Sequence, residues 1–203
     1  MIAPRRLAAI AQAAYDPAVP AFLERGDVKV TRTEEAGAVV YAWRGTRIKH
    51  IDDILRDADC FPRFRPGLGH IHHGFLSGAE ALEHELLAAM ARERLPVVFN
   101  GHSLAAAMAL IMTAIAILAG QRPAMTVTYG CPLLGFSTLR QLLDGHPGTD
   151  YRHGSDPVTF VPEPFWHARS PMTDLGRVSI GDLLDPLHDH FIETYIAALP
   201  EAA

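Results

Sequence analysis

The feature that most restricts the possible fold is Leu104 to Ala119, 16 consecutive residues without a charge. Such a run needs an apolar environment on nearly every side. It is shorter than the roughly 20 residues that span a bilayer, it is rich in alanine, and it stops at Gly120. The spacing predicts a helix buried inside a protein core. A short apolar run, Leu95 to Phe99, precedes it, and Asn100, Gly101, His102 and Ser103 separate the two as a predicted turn. Strand, turn and buried helix in immediate succession imply a sheet with helices packed on it.

The remaining pattern agrees. Val28 to Thr31 and Ala38 to Trp43 are β-rich and flank Glu34-Glu35-Ala36-Gly37, a tight turn between antiparallel strands. Ala38 to Trp43 is apolar on both parities, which predicts an interior strand covered on both faces. Met125 to Tyr129, Asp150 to His153 and Arg177 to Ile180 are further strand candidates. Helices are predicted near the N-terminus and over Ile48 to Ala58, Ser77 to Arg94, Ser137 to Leu143 and His188 to Leu199. Cys60 to Gly69, with two prolines and two glycines, reads as loop. Strands and helices alternate through the middle of the chain with connections too long for hairpins. The predicted class is α/β, a mostly parallel sheet with helices on both faces, formed by one domain over residues 1–203.

Composition excludes several functions. Of 203 residues 49% are hydrophobic and 20% charged, unlike a disordered chain, and the net charge is −5 with scattered arginines, unlike a nucleic-acid binder. Cys60 and Cys131 are too few for a thiolate metal cluster or a disulfide framework. The N-terminal apolar stretch is interrupted at Gln12, shorter than a signal-peptide core, so a cytoplasmic location is expected.

Gly101-His102-Ser103-Leu104-Ala105 carries the chemistry. A serine at a sharp strand-to-helix bend presents its hydroxyl above the sheet, and the glycine two residues earlier lets the helix pass close. Ala105 stands where such elbows usually have glycine, and Ala106 and Ala107 keep close packing available. Ser103 also has the simpler reading of a helix N-cap. A serine nucleophile needs a base and an orienting acid. Asp156 follows a strand candidate and precedes Pro157, with Asp150 as its rival at the other end of that strand. Leu187-His188-Asp189-His190 offers two histidines as base. The Asp185, His188, Asp189, His190 group reads as solvated surface, and no metal or organic cofactor is required.

Five segments in order give the chain a family likeness: Ala42-Trp43-Arg44-Gly45-Thr46, Ile71-His72-His73-Gly74-Phe75, Gly101-His102-Ser103-Leu104, Tyr129-Gly130-Cys131-Pro132, and His153-Gly154-Ser155-Asp156-Pro157-Val158 running on to Val161-Pro162. His190 to Tyr195 ends it. In these the sequence resembles the class 3 lipases, α/β-hydrolases of the fungal triacylglycerol lipase and plant acyl-lipase type. The resemblance implies Ser103 as nucleophile, Asp156 as acid and His190 as base. It implies an oxyanion hole from Thr46 and the N–H of Leu104, with His72 near the site in a structural role. His102 is expected to support the site, and Phe160, Val161, Phe165 and Trp166 are candidates for an acyl-binding wall or plain core. The implied partner is a small-molecule or lipid ester, with transient contact at a membrane surface. The short segment between Thr46 and His72 implies a small or absent lid. A thioesterase, amidase or peptidase on the same triad, or an inert binding protein on a hydrolase fold, are the alternatives.

Overall fold

The computed structural model describes residues 2–45, 61–176 and 188–201. A seven-stranded sheet runs through them, and its connectivity follows from where the chain turns tightly and where it cannot. β1 (Leu23–Arg25), β2 (Val28–Glu35) and β3 (Ala38–Arg44) are antiparallel neighbours. The β2–β3 turn is the expected one, with Ala36 and Gly37 both at positive φ, as a two-residue hairpin requires. Beyond β3 the sheet is parallel: β6 (Val97–His102), β7 (Met125–Tyr129), β8 (Gly148–Arg152) and β9 (Thr173–Asp174) follow in that order. A separate hairpin pairs β4 (Pro62–Arg65) with β5 (Gly69–His72).

The two-sided apolar pattern of β3 has the consequence expected of it. Val39, Tyr41 and Trp43 point into one core, and Val40 and Ala42 into the other, all fully buried. The first core holds α2 (His73–Glu80), α3 (Glu83–Met90) and α4 (Leu104–Leu118). The second holds α1 (Pro4–Ala13) and the C-terminal α6 (Ile192–Ala198). In α4 every residue from Ala105 to Ala116 is buried, so the uncharged run is the central helix of the larger core. No helix among the described residues is long and apolar enough to cross a membrane.

Four local expectations are corrected. The helix predicted over Ser77 to Arg94 is two helices broken at Ala81 and Leu82. The apolar stripe resumes in phase after the break, so periodicity does not reveal it; Glu80 and Glu83, on either side, both pair with Arg65. The stretch Cys60 to Gly69, read as loop, contains β4, in which exposed Pro62 and Phe64 alternate with half-buried Arg63 and Arg65, a pattern that the prolines and glycines hide. β6 continues through Asn100 and Gly101 to His102, residues expected to form the turn. His188 to Leu199 is a 3-10 turn, His188–His190, followed by α6, instead of one helix. α5 (Ser137–Leu143) is as expected. Thr46, Cys60, the Ile48 to Ala58 helix and the Arg177 to Ile180 strand lie outside the described residues.

Candidate active site

Ser103 takes φ 59° and ψ −131°, and only Ala36 shares a positive φ with it among the described non-glycine residues. A side chain resists that conformation, so the surrounding structure must impose it. The constraint is visible. The Ser103 N–H donates to the Tyr129 carbonyl at 2.9 Å, and its own carbonyl accepts the Ala106 N–H at 2.9 Å. A Cβ on Gly101 would stand 2.5 Å from the Ala105 carbonyl oxygen, so only glycine lets α4 pass back across β6. Ala105 itself is fully buried in the larger core, and its extra methyl is absorbed there.

The Ser103 side chain makes no capping bond to α4. Its Oγ lies 2.8 Å from His190 Nε2. Both Asp156 carboxylate oxygens lie 2.9 Å from His190 Nδ1, on the opposite side of the ring. All three side chains are nearly or wholly withdrawn from solvent. His188, the other histidine of the pair, is exposed, and among the described residues only its backbone carbonyl is used, by Thr194 and Phe191. Asp150 is equally remote from the imidazole: it sits inside β8, accepting from the Thr128 hydroxyl and pairing with Arg169.

Several groups hold this arrangement. Asp156 accepts the Val158 N–H at 3.0 Å and the Tyr195 hydroxyl at 2.5 Å. Burial first, and the neighbouring Asp156 second, push the Tyr195 phenol far above its ordinary range, so it remains a donor. His102 Nε2–H donates to the His190 carbonyl at 2.7 Å, the two rings lying 4.8 Å apart. Burial, reinforced by the adjacent His190, pulls His102 down to about 3, so it is neutral near pH 7. Tyr15 donates its hydroxyl to the His102 carbonyl at 3.1 Å. Asp189 ties the His190 turn to the Asp156 loop through His153 Nδ1 at 3.0 Å and the Ser155 N–H at 2.7 Å. Gly130 (φ 57°) closes the set: a Cβ there would be 2.7 Å from Asp156 Oδ2 and 3.1 Å from the His190 ring.

Leu104, whose N–H opens α4, packs so closely on Gly45 that a Cβ at Gly45 would stand 3.0 Å from it. The end of β3 is thereby fixed over the helix N-terminus, where backbone N–H groups favour negative charge. His72 is buried, its Nδ1 accepting the Phe75 N–H at 3.4 Å, with its ring stacked on Phe75 at 3.9 Å and tilted against Phe165 at 5.3 Å. The residues expected to form an acyl-binding wall or plain core lie in different surroundings. Phe165 is core beside His72; Val161 gives its carbonyl to the Leu133 N–H; Phe160 is half exposed with the Arg152 guanidinium 5.5 Å from its ring centre. Trp166 lines a cleft at the other end of the strands.

The hydroxyl donor on Asp156 and the Asp189 tie escaped sequence reasoning. In sequence Tyr195 reads as one more apolar position of the last helix. Its placement five residues after His190, with a polar tip that a buried site must satisfy, was the available signal.

The sequence pattern of the family described as lipase (class 3) matches residues 40–166. The chain belongs to the class 3 lipase family. Class 3 lipases are carboxylic ester hydrolases, and solved structures agree on the α/β-hydrolase fold. The chain superposes on the lipase of Rhizopus microsporus var. chinensis with a TM-score of 0.66 and 18% identity, covering 92% of this chain and 84% of that one. With the Penicillium cyclopium MDLA N225Q mutant the TM-score is 0.64 and the identity 20%, over 92% and 91% of the two chains. With the Rhizomucor miehei lipase in its propeptide complex it is 0.62 at 18% identity, over 79% of this chain and 62% of the other. A comparison with the curated proteins finds no match.

Proposed function

We propose that this class 3 lipase hydrolyses carboxylic esters through an acyl-enzyme on Ser103, with His190 as general base and Asp156 as the acid that orients it. The observation carrying this reading is the 2.8 Å approach of His190 Nε2 to a serine hydroxyl held at positive φ. His190 takes the hydroxyl proton as Oγ attacks the ester carbonyl carbon, and returns it to the leaving alcohol when the C–O bond breaks. Asp156 accepts the Nδ1–H, which fixes the tautomer that leaves Nε2 free to receive the proton. The carbonyl oxygen, now negative, accepts from the N–H of Leu104, and the family resemblance implies Thr46 as the second donor; each such donor contributes about 3–4 kcal/mol in the transition state. Water then attacks the acyl carbon with the same histidine as base, releasing the acid and restoring Ser103.

The substrate class is a small or lipid ester of short to medium chain length. The support is the short span between Thr46 and His72, which leaves little chain for a large apolar cover. Ala105 was the one feature favouring an inert scaffold, and its burial without displacement of the elbow removes that support. Hydrolysis of p-nitrophenyl esters from C2 to C16 by the wild type and Ser103→Ala tests the reading. Activity is expected to peak at or below C8 and to vanish in the variant. A maximum at longer chains refutes the chain-length assignment, and equal activity in Ser103→Ala refutes the nucleophile.

A further inference from the structure

β7 and β8 end at the triad and begin at a second recess. Between the starts of these strands, α5 and residues 166–173 lies a cleft of about 570 Å³. His146 and Arg169 both line it, and each carries a buried nitrogen without a partner among the described residues, His146 Nδ1 and Arg169 Nη1. His146 is only 5% exposed.

Counting protons shows what these two nitrogens offer. The Thr113 hydroxyl donates to the Ala109 carbonyl, so the 2.7 Å Thr113–Thr126 contact must use the Thr126 hydrogen. Thr126 Oγ1 can then only accept from His146 Nε2, 3.1 Å away, and that nitrogen carries the proton. Burial, with Arg169 and Arg122 nearby, pulls His146 down to about 4, so the ring is neutral and Nδ1 is a bare lone pair. Arg169 uses Nε and Nη2 on the Asp150 carboxylate, and Nη2 also reaches the Thr126 carbonyl, leaving the Nη1 hydrogens. Thus the wall of the cleft holds, just beneath its surface, an acceptor and a cation's donors, anchored through the same residue, Thr126.

The geometry points to a second ligand site in this cleft, for a neutral polyhydroxylated molecule such as a sugar ring or polyol. A hydroxyl donates and accepts at once, satisfying Nδ1 and Nη1 together. A fully ionised oxyanion has no hydrogen for His146 Nδ1 and would set lone pair against lone pair. Asp150 already neutralises Arg169, and Asp144 balances Arg140 in the lining, so the cleft carries no net charge to attract an anion. Trp166, half exposed on the wall, supplies a flat apolar surface for the C–H face of a sugar, and Arg140 and Gln141 bring planar polar groups to the lining. The volume falls within the range of small-molecule clefts.

The test is a chemical-shift titration of the full chain with methyl glucoside and with myo-inositol, against sulfate and acetate in parallel. Saturable shifts confined to residues 137–150 and 166–173 are expected for the hydroxylic probes, with sulfate and acetate at least about tenfold weaker. His146→Phe, which keeps the ring and removes both nitrogens, is expected to weaken binding about tenfold or more. Trp166→Ala, an exposed position, does so by at least about fivefold and carries the test should His146→Phe not fold. No shifts up to about 100 mM sugar, equal or tighter binding of sulfate, or shifts centred on Ser103 and His190 would each overturn the assignment.

Discussion

Tyr195→Phe isolates one hydrogen bond in the triad. The ring stays: it packs 5.9 Å from His102 and 6.0 Å from both Tyr129 and His153, contacts phenylalanine keeps. Only the hydroxyl is lost, and with it a 2.5 Å bond to an Asp156 that is wholly buried. A hydrogen bond to a charged acceptor contributes about 1.5–3 kcal/mol, and here water cannot replace it. For a domain of this size each kcal/mol moves Tm by about 2–4 °C, so the variant should melt roughly 3–12 °C lower. The rate responds less. The Asp156 carboxylate accepts the same bond in the resting enzyme and the transition state, so most of the lost stabilisation cancels between them. The residual is misorientation of the carboxylate, still held by the Val158 N–H and His190. We expect kcat to fall about tenfold or less, equivalent to at most about 1.4 kcal/mol. Urea denaturation and steady-state hydrolysis of a p-nitrophenyl ester measure the two effects. A stability loss under about 0.5 kcal/mol, or a kcat loss in the thousands, would show that the hydroxyl is not a donor to the buried carboxylate as argued.

Exchange of the two candidate bases separates them: His190→Ala should abolish turnover while His188→Ala, at an exposed side chain, leaves it within about twofold. Asp150→Asn should destabilise the protein by about 3–5 kcal/mol, because it strands the buried Arg169, yet leave the kcat of the folded fraction near wild type; loss of kcat with full stability would make Asp150 the acid. His102 and His146 are held neutral, at about 3 and about 4 against an ordinary 6.5. The unfolded chain therefore binds more protons below pH 6.5, and their contribution to stability is complete above that pH and declines as pH falls toward 4 and then 3. Urea midpoints at pH 7.5, 5.5 and 4.5 should fall steadily. His102→Gln, which keeps a donor for the His190 carbonyl, should flatten the slope; an unchanged slope refutes the role of His102. Gly101→Ala should cost about 1–3 kcal/mol and open the elbow, seen as a joint loss of stability and kcat; wild-type behaviour would contradict the close passage of α4 over β6.

Much of this molecule is determined by local sequence. An uncharged run of 16 residues has to lie inside a core, a strand apolar on both parities has to be covered twice, and a Gly-x-Ser at their junction has to form a bend. The resemblance to the class 3 lipases also implies the order Ser103, Asp156, His190, while the residues by themselves leave Asp150 and His188 as rivals. What sequence could not rank were groups chemically alike and close in the chain. His188 and His190 differ by two positions, and Asp150 and Asp156 by six; only the packing of the last turn against the sheet decides which imidazole meets which carboxylate. The break at Ala81 and the role of Tyr195 are equally tertiary, since hydrophobic periodicity records that a residue is buried and not what its polar tip touches. The aromatics after Asp156 show the same limit. Three rings within a short irregular stretch, Phe160, Phe165 and Trp166, are sent to different surroundings by backbone turns, and burial along such a stretch has no period to read.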